Sequence, residues 1–390
     1  MNILMITTTL PHRLSNGGEI ATSNLIDGMN RRGHKVDVLG YTRLGDPAPE
    51  HSDFHSACDW VIETELAGPR KWLWLAQSLI HGLPYVSAKF RSREMLYAAR
   101  HLCAQTNYDA VIIDHLQLGW IAKAPFLPER KIGVAHNVEH EILAVQAAAR
   151  SNGWLKRLIF GRDARIMREM EREMIWSLDQ IWVLTIEEQE SMGALGGRRA
   201  DAAIRVIPLP GQSFFATAVM PMADKDVVIL GSWLWDVNRR GLEWFMREVA
   251  PLLPNDISVV IGGKGTEQVP NRTANVTYAG FVPDAAAFLR SGRAICIPTV
   301  MGAGIQLKTI EGISIGRPVV TTPLGLRGIG DVPSHVSIAV DAAQMANKLV
   351  ELARLPQGSH VEAAAAWAKQ RRDDFDHTID EALTQGWRES

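Results

Sequence analysis

The chain has 390 residues, a length that suits two α/β domains of about 150 to 200 residues each, and two such domains imply a cleft. A hydrophobic fraction of 46% and a charged fraction of 22% exclude a disordered chain or a membrane bundle, while a net charge of -2 and a pI near 6.6 exclude a nucleic-acid binder with its basic stripe. The three scattered cysteines, Cys58, Cys103 and Cys296, supply neither a disulfide framework nor a CxxC metal site and fit a reducing cytoplasm.

From the N-terminus, Met1-Asn2 leads directly into a strand pattern at 2–7, without the layout of a signal peptide. No apolar run approaches the roughly 18 residues of a spanning helix, so membrane contact is expected only from the surface. Gly17-Gly18 then opens a helix over 18–32. Two glycines before a helix leave bare backbone for a phosphate, or simply make a turn.

Short β-branched runs follow at 35–41, 109–114, 131–136, 180–185 and 204–207, with a long charged helix over 156–178. The alternation predicts βαβ units around a mainly parallel sheet. Asp114-His115 and His136-Asn137 fall at strand ends, the edge where ligands of such sheets gather. Asp114 suits either orienting an acceptor hydroxyl or capping a turn, and Asn137 suits capping the next helix. Residues 70–93 set Trp72, Trp74, Tyr85 and Phe90 among Arg70, Lys71, Lys89, Arg91 and Arg93, and 154–162 repeats the mixture. Such segments rest on an anionic membrane or pack as a helical hairpin with snorkelling bases.

Three prolines and a glycine in 208–224 interrupt the pattern. Domains are therefore expected at 1–210 and 225–359, joined by a linker at 211–224. A helical segment at 360–390 follows, for which a return to the first domain is one course open. The second domain repeats the strand pattern at 226–231, 257–261, 275–278, 294–298, 318–322 and 335–340, so the chain reads as two doubly wound Rossmann-like domains.

The most informative stretch is 298–323. Gly302 and Gly304 allow close backbone approach before a helix start, and Lys308 and Glu311, three residues apart, share a helix face. Together they read as a cation for phosphate and a carboxylate for ribose hydroxyls, or as a surface pair on a packed helix. Gly262-Gly-Lys-Gly-Thr266 lacks the P-loop spacing and reads as a loop that at most lines the donor.

The stretch 298–323 resembles the donor-binding signature of glycosyltransferase family 4 and its GT-B relatives, with Gly304, Lys308, Glu311, Gly316, Pro318, Val319, Val320 and Thr322 on the pattern. The opening, from Gly17-Gly18 to Arg32-Gly33-His34-Lys35-Val36, is similar to family openings. The resemblance implies a GT-B fold, two Rossmann-like domains facing across a cleft, the first on the acceptor side and the second holding a nucleotide-sugar donor. It makes Gly17, Gly18, Gly302, Gly304, Ile305, Lys308 and Glu311 donor-binding candidates, and His136 and Lys308 catalytic candidates, because a similar strand-end histidine approaches the donor sugar in the family. Asp114, His115, Asn137, Arg239 and Arg240 are acceptor-side or secondary candidates, one arginine standing in for the family's Arg and Lys against the diphosphate.

One departure is Ala303, where the family carries the first carboxylate of a Glu-x7-Glu motif that Glu311 closes. Asp224-Lys-Asp226 and Asp374-Phe-Asp376 imitate the Asp-x-Asp of the other glycosyltransferase fold, but their settings suggest solvated carboxylates. No metal and no cofactor are expected beyond the donor, in UDP or GDP form. The resemblance implies sugar transfer to a glycan or lipid-linked glycan with retained anomeric configuration, in the cytoplasm and at the inner membrane face if membrane contact is made. A nucleotide-sugar epimerase of the same fold and a non-catalytic nucleotide-sugar-binding partner of polysaccharide assembly stay open beside it.

Overall fold

The computed structural model describes residues 1–14, 16–149, 153–211, 220–271, 273–302, 304–385 and 387. The chain divides into two compact units, Met1–Leu209 with Asp374–Ser390, and Pro210–Asp373. Most of the expected linker, 212–219, lies outside the described residues, as does Ala303.

The first unit is built on seven parallel strands: β1 (Asn2–Ile6), β2 (Lys35–Arg43), β3 (Phe54–Trp60), β4 (Ala110–Asp114), β5 (Lys131–Ala135), β6 (Gln180–Val183) and β7 (Ile204–Val206). Their order is β3-β2-β1-β4-β5-β6-β7. Ile3, Leu4, Met5 and Ile6 are all fully buried, because helices cover both faces of a parallel sheet and a central strand must be apolar throughout. Each run read from the sequence becomes a strand, and β3 is added. Its His55, Ser56 and Asp59 give no clean apolar face, and as an edge strand it stays half-exposed.

The second unit carries β8 (Lys225–Leu230), β9 (Val259–Gly262), β10 (Val276–Gly280), β11 (Gly292–Ile297), β12 (Val319–Thr321) and β13 (Val336–Ile338), again all parallel, in the order β10-β9-β8-β11-β12-β13. Counted from its own first strand, each sheet runs 3-2-1-4-5-6, with β7 added to the first. The winding direction therefore reverses between β1 and β4, and between β8 and β11. Each reversal leaves a crevice beyond the strand ends, where doubly wound sheets bind ligands.

Helix Gly17–Arg31 buries Ala21, Leu25, Ile26 and Met29, and Asn16 caps it by accepting from the Glu19 amide at 3.0 Å. Helix Val361–Gln385 ends on the first unit, where Phe375, Ile379 and Leu383 are fully buried. Among the described residues no helix is long and apolar enough to cross a membrane.

Candidate functional site

At the first reversal, the end of β4 places Asp114 in full burial. Its Oδ2 accepts the Thr7 hydroxyl at 2.7 Å, from just beyond β1, and the Thr22 hydroxyl at 2.6 Å, from helix Gly17–Arg31. Its Oδ1 lies 2.6 Å from His136 Nε2, just beyond β5. Burial alone would raise this carboxyl, but the neighbouring His136 and His115 and the hydrogen bonds from His136 and Thr22 outweigh it and hold Asp114 below the usual carboxylate range. An ionised Asp114 is acceptor-only, so His136 Nε2 carries the proton and Nδ1 is left as an acceptor in the neutral ring.

His115 adopts φ 71°, a conformation that non-glycine residues rarely hold. Its ring stacks on His136 with centroids 3.8 Å apart and planes 14° apart. Burial pushes His115 down to about 3, with the neighbouring His136 acting in the same direction and Asp114 in the opposite one. A side-chain carbon on Gly18 would stand 3.4 Å from His115 Cε1, so the glycine helix start lies against this ring. Gly17, Gly18, Asp114, His115 and His136 thus meet in one place, and half-buried Asn137 follows directly.

Asp114, His115 and His136 offer ligand atoms within 4.8 Å of one another. Ring-nitrogen lone pairs lie in the ring plane, and two nearly parallel stacked rings cannot aim them at one ion at about 2.1 Å. The arrangement fits a hydrogen-bonded relay better than a metal centre. Asn137 is not the cap of the following helix. Val138 holds that position without a side-chain bond, and buried Glu171 accepts the Glu139 amide at 2.8 Å instead.

At the second reversal, the ends of β8 and β11 and helix Leu307–Ser314 enclose a cavity of about 200 Å³ lined by Gly231, Ser232, Asn238, Ile297, Lys308 and Glu311, among others. The Lys308 ammonium donates to Asn238 Oδ1 at 3.0 Å. Burial pulls Lys308 down to about 8 and pushes Glu311 up to about 7. Among the described residues, Glu311 has no ion-pair partner within the cavity. Gly302 and Gly304 have φ of 132° and 77°, shaping the loop that leads through Ile305 to the helix start. Gln306 at the cap position makes no side-chain bond there, which leaves the first N–H groups of the helix for a ligand.

Arg239 and Arg240 do not join this cavity. Both pair with Asp236 on their own helix, Arg240 Nε at 3.0 Å. Two expectations for carboxylates are corrected in the same way. Asp376 is clasped by Arg31 through bonds of 2.8 and 2.7 Å, and Asp226 accepts the Ser258 amide and hydroxyl at 2.9 and 2.8 Å, so neither is merely solvated. The loop after β9, read as at most lining the donor, makes packing contacts with the loop after β8. Trp233 Nε1 donates to Gly262 O at 3.0 Å, and its amide donates to Lys264 O at 2.8 Å. Thr7 and Thr22 were missed by sequence reasoning; the hydroxyl run Thr7-Thr8-Thr9 at a strand end was the available signal.

Two doubly wound parallel units in one chain, each with polar groups gathered at its own reversal, define a GT-B architecture. The chain belongs to the glycosyltransferase 4-like family. The model described as a glycosyl transferase 4-like domain matches residues 16–210, and that described as glycosyl transferases group 1 matches residues 224–354. The protein is a glycosyltransferase.

Solved structures share the fold over the full length. HepE from Anabaena, in complex with UDP-glucose, is 14% identical with a TM-score of 0.61, covering 98% of this chain and 99% of its own. TarM is 10% identical with a TM-score of 0.63, covering 100% and 99%. WaaG, a glycosyltransferase involved in lipopolysaccharide biosynthesis, is 15% identical with a TM-score of 0.57, covering 97% and 98%. No curated protein sequence matches the chain.

Proposed function

We propose that the protein transfers a sugar from a nucleoside-diphosphate sugar to a glycan or lipid-linked glycan, with retained anomeric configuration and without an essential metal. The observation that carries this reading is the cavity at the second reversal. There a cation, a carboxylate without an ion-pair partner and an open helix start converge beyond strand ends. An arriving diphosphate would find the Lys308 ammonium and the first N–H groups of helix Leu307–Ser314, both of which gain strength as charge builds on the leaving group. Glu311 then serves as acceptor for ribose hydroxyls. Its raised pKa reflects burial without a partner, a cost that a bound diol would offset by hydrogen bonding.

In the first unit, Asp114 fixes His136 so that Nδ1 faces away from the carboxylate as an acceptor for a sugar hydroxyl. Gly17 and Gly18 keep side chains off the first residues of the neighbouring helix, whose third amide is capped by Asn16. Retention follows the family resemblance: the acceptor attacks the face that the diphosphate leaves, and no enzymic nucleophile is assigned.

HepE's complex with UDP-glucose makes UDP the first nucleotide to try, beside GDP, ADP and dTDP. The test is a thermal-shift screen followed by titration of the selected nucleotide. One nucleotide is expected to raise the melting temperature selectively. Glu311→Ala is expected to weaken its binding about tenfold, as loss of a hydrogen bond to a charged group implies. Donor turnover should proceed in the presence of a chelator. Unchanged affinity in Glu311→Ala would remove the ribose role, and loss of turnover with chelator would overturn the metal-free mechanism.

A further inference from the structure

Helix Arg70–His81 is amphipathic in the wrong direction for a helix that serves only to cover a core. Its inward face is short, with Trp74 and Ser78 buried. Trp74 packs with Trp60 and Tyr85 at ring distances of 6.3 Å, and Phe90 is also buried, so half of the aromatic residues singled out in the sequence are core. The outward face carries Trp72, Leu73, Ala76, Leu79 and Ile80, at i, i+1, i+4, i+7 and i+8, all exposed. That spacing makes a continuous apolar stripe about two turns long. Ile80 is 77% exposed and Trp72 64%, whereas helices of water-soluble surfaces turn such a stripe inward.

A second helix extends the stripe. Arg162, in helix Trp154–Ser177, donates to Ser78 O and to the Ser78 hydroxyl, both at 3.0 Å, which fixes the two helices side by side. One and two turns before Arg162 stand Leu158, Leu155 and Trp154, all exposed.

Charge decides what covers this face. Residues 66–93 contain no Asp or Glu, and neither do residues 150–162. Arg70, Lys71, Lys156 and Arg157 are exposed around the apolar residues, and Lys71 sits 5.7 Å from the Trp72 ring. Asp163, the first acid after the second segment, is already held by Arg162 and the Tyr85 amide. A second copy of the face would set these bases against each other. An apolar stripe rimmed by bases alone, with tryptophans at its margin, is instead complementary to an anionic bilayer surface, where the apolar groups enter the headgroup boundary and the bases meet lipid phosphates.

We propose that the outward faces of helix Arg70–His81 and of the first two turns of helix Trp154–Ser177 form an interfacial docking surface for a bilayer containing anionic lipid. The surface names where the enzyme would meet a lipid-linked acceptor, but its binding does not depend on the donor assignment, and the two are measured separately.

The test is flotation of the full chain with vesicles of phosphatidylcholine alone or mixed with phosphatidylglycerol, with the nucleotide-induced thermal shift recorded for every variant as the check on fold and donor site. The chain is expected to float with the anionic vesicles and not with neutral ones, and to be released as salt is raised. The double variant W72E/I80E, at exposed positions, is expected to lower binding at least tenfold at an unchanged nucleotide shift. The variant R70E/K71E is expected to do the same while abolishing the preference for anionic lipid. Failure of the unaltered chain to bind anionic vesicles would overturn the proposal, as would equal binding by both variants. It would also fall if the chain sedimented as a dimer that W72E/I80E turned into a monomer.

Discussion

Asp114 is cut off from solvent, and each of its carboxylate oxygens is occupied by a group from a different part of the chain. A buried charge so held is costly to disturb, and it acts on its surroundings through the two adjacent histidines, His136 at hydrogen-bond distance and His115 beside it. Asp114→Asn keeps the shape but removes the charge that fixes the proton on Nε2, so Nδ1 no longer presents a reliable acceptor. Sugar transfer is expected to fall about tenfold to a hundredfold, the cost of a lost hydrogen bond in a buried site, while nucleotide binding in the second unit is unchanged. A transfer rate within threefold of the unaltered chain would remove Asp114 from the positioning role. The strand-end residues themselves were legible because a parallel sheet sends its chemistry to one edge. Their supports were not, since Thr7 and Thr22 lie 107 and 92 positions from Asp114 and only folding pairs them. The bond between Asn238 and Lys308 spans 70 positions and was equally hidden.

In the loop after β9 a glycine that resembles a ligand-binding feature serves the packing of the fold. Gly263 has φ of 120°, and a side-chain carbon there would fall 1.7 Å from Gly231 O. The glycine is needed because two strand-end loops touch, backbone to backbone, beside Trp233. Gly263→Ala is therefore expected to destabilise the second unit by about 2–4 kcal/mol, through strain and the forced separation of the loops. Gly193, inside helix Ile186–Gly196 with open space around it, is the control. Its change to Ala should be neutral or stabilise by up to about 1 kcal/mol. Equal melting temperatures for the two variants would show that the loop contact is dispensable. Strand positions were legible from apolar runs because both sheets are parallel and buried. The exception, β3, is an edge strand whose exposed face lets polar residues interrupt the pattern.

Over the whole molecule, one helix belongs to both units. Helix Val361–Gln385 starts in the second, where Ala364 is buried, Trp367 Nε1 donates to Asp331 O at 2.8 Å and Arg371 donates to Ile329 O at 2.6 Å. It ends in the first, where Phe375 and Ile379 press on Gly28 of helix Gly17–Arg31 and Ala382 O accepts Gln180 Nε2 at 2.8 Å. Gln180 in turn accepts from Trp182 Nε1 at 2.9 Å, so a buried polar chain in the first sheet is completed by the last turns of this helix. The first unit is thus unfinished until residue 374 and beyond is made, although its own strands end at Val206. Phe375→Ala should cost about 3–5 kcal/mol, the usual loss for a fully buried phenyl ring, out of roughly 5–15 kcal/mol for a domain. The cost should fall on one unit. A calorimetric melt of the full chain is expected to show an early transition that nucleotide does not raise, followed by a later one that it does, because the donor cavity lies wholly in the second unit. A melt identical to that of the unaltered chain would mean that the end of the helix only rests on the first unit, whereas loss of the nucleotide-responsive transition would mean that the two units do not fold as separate bodies.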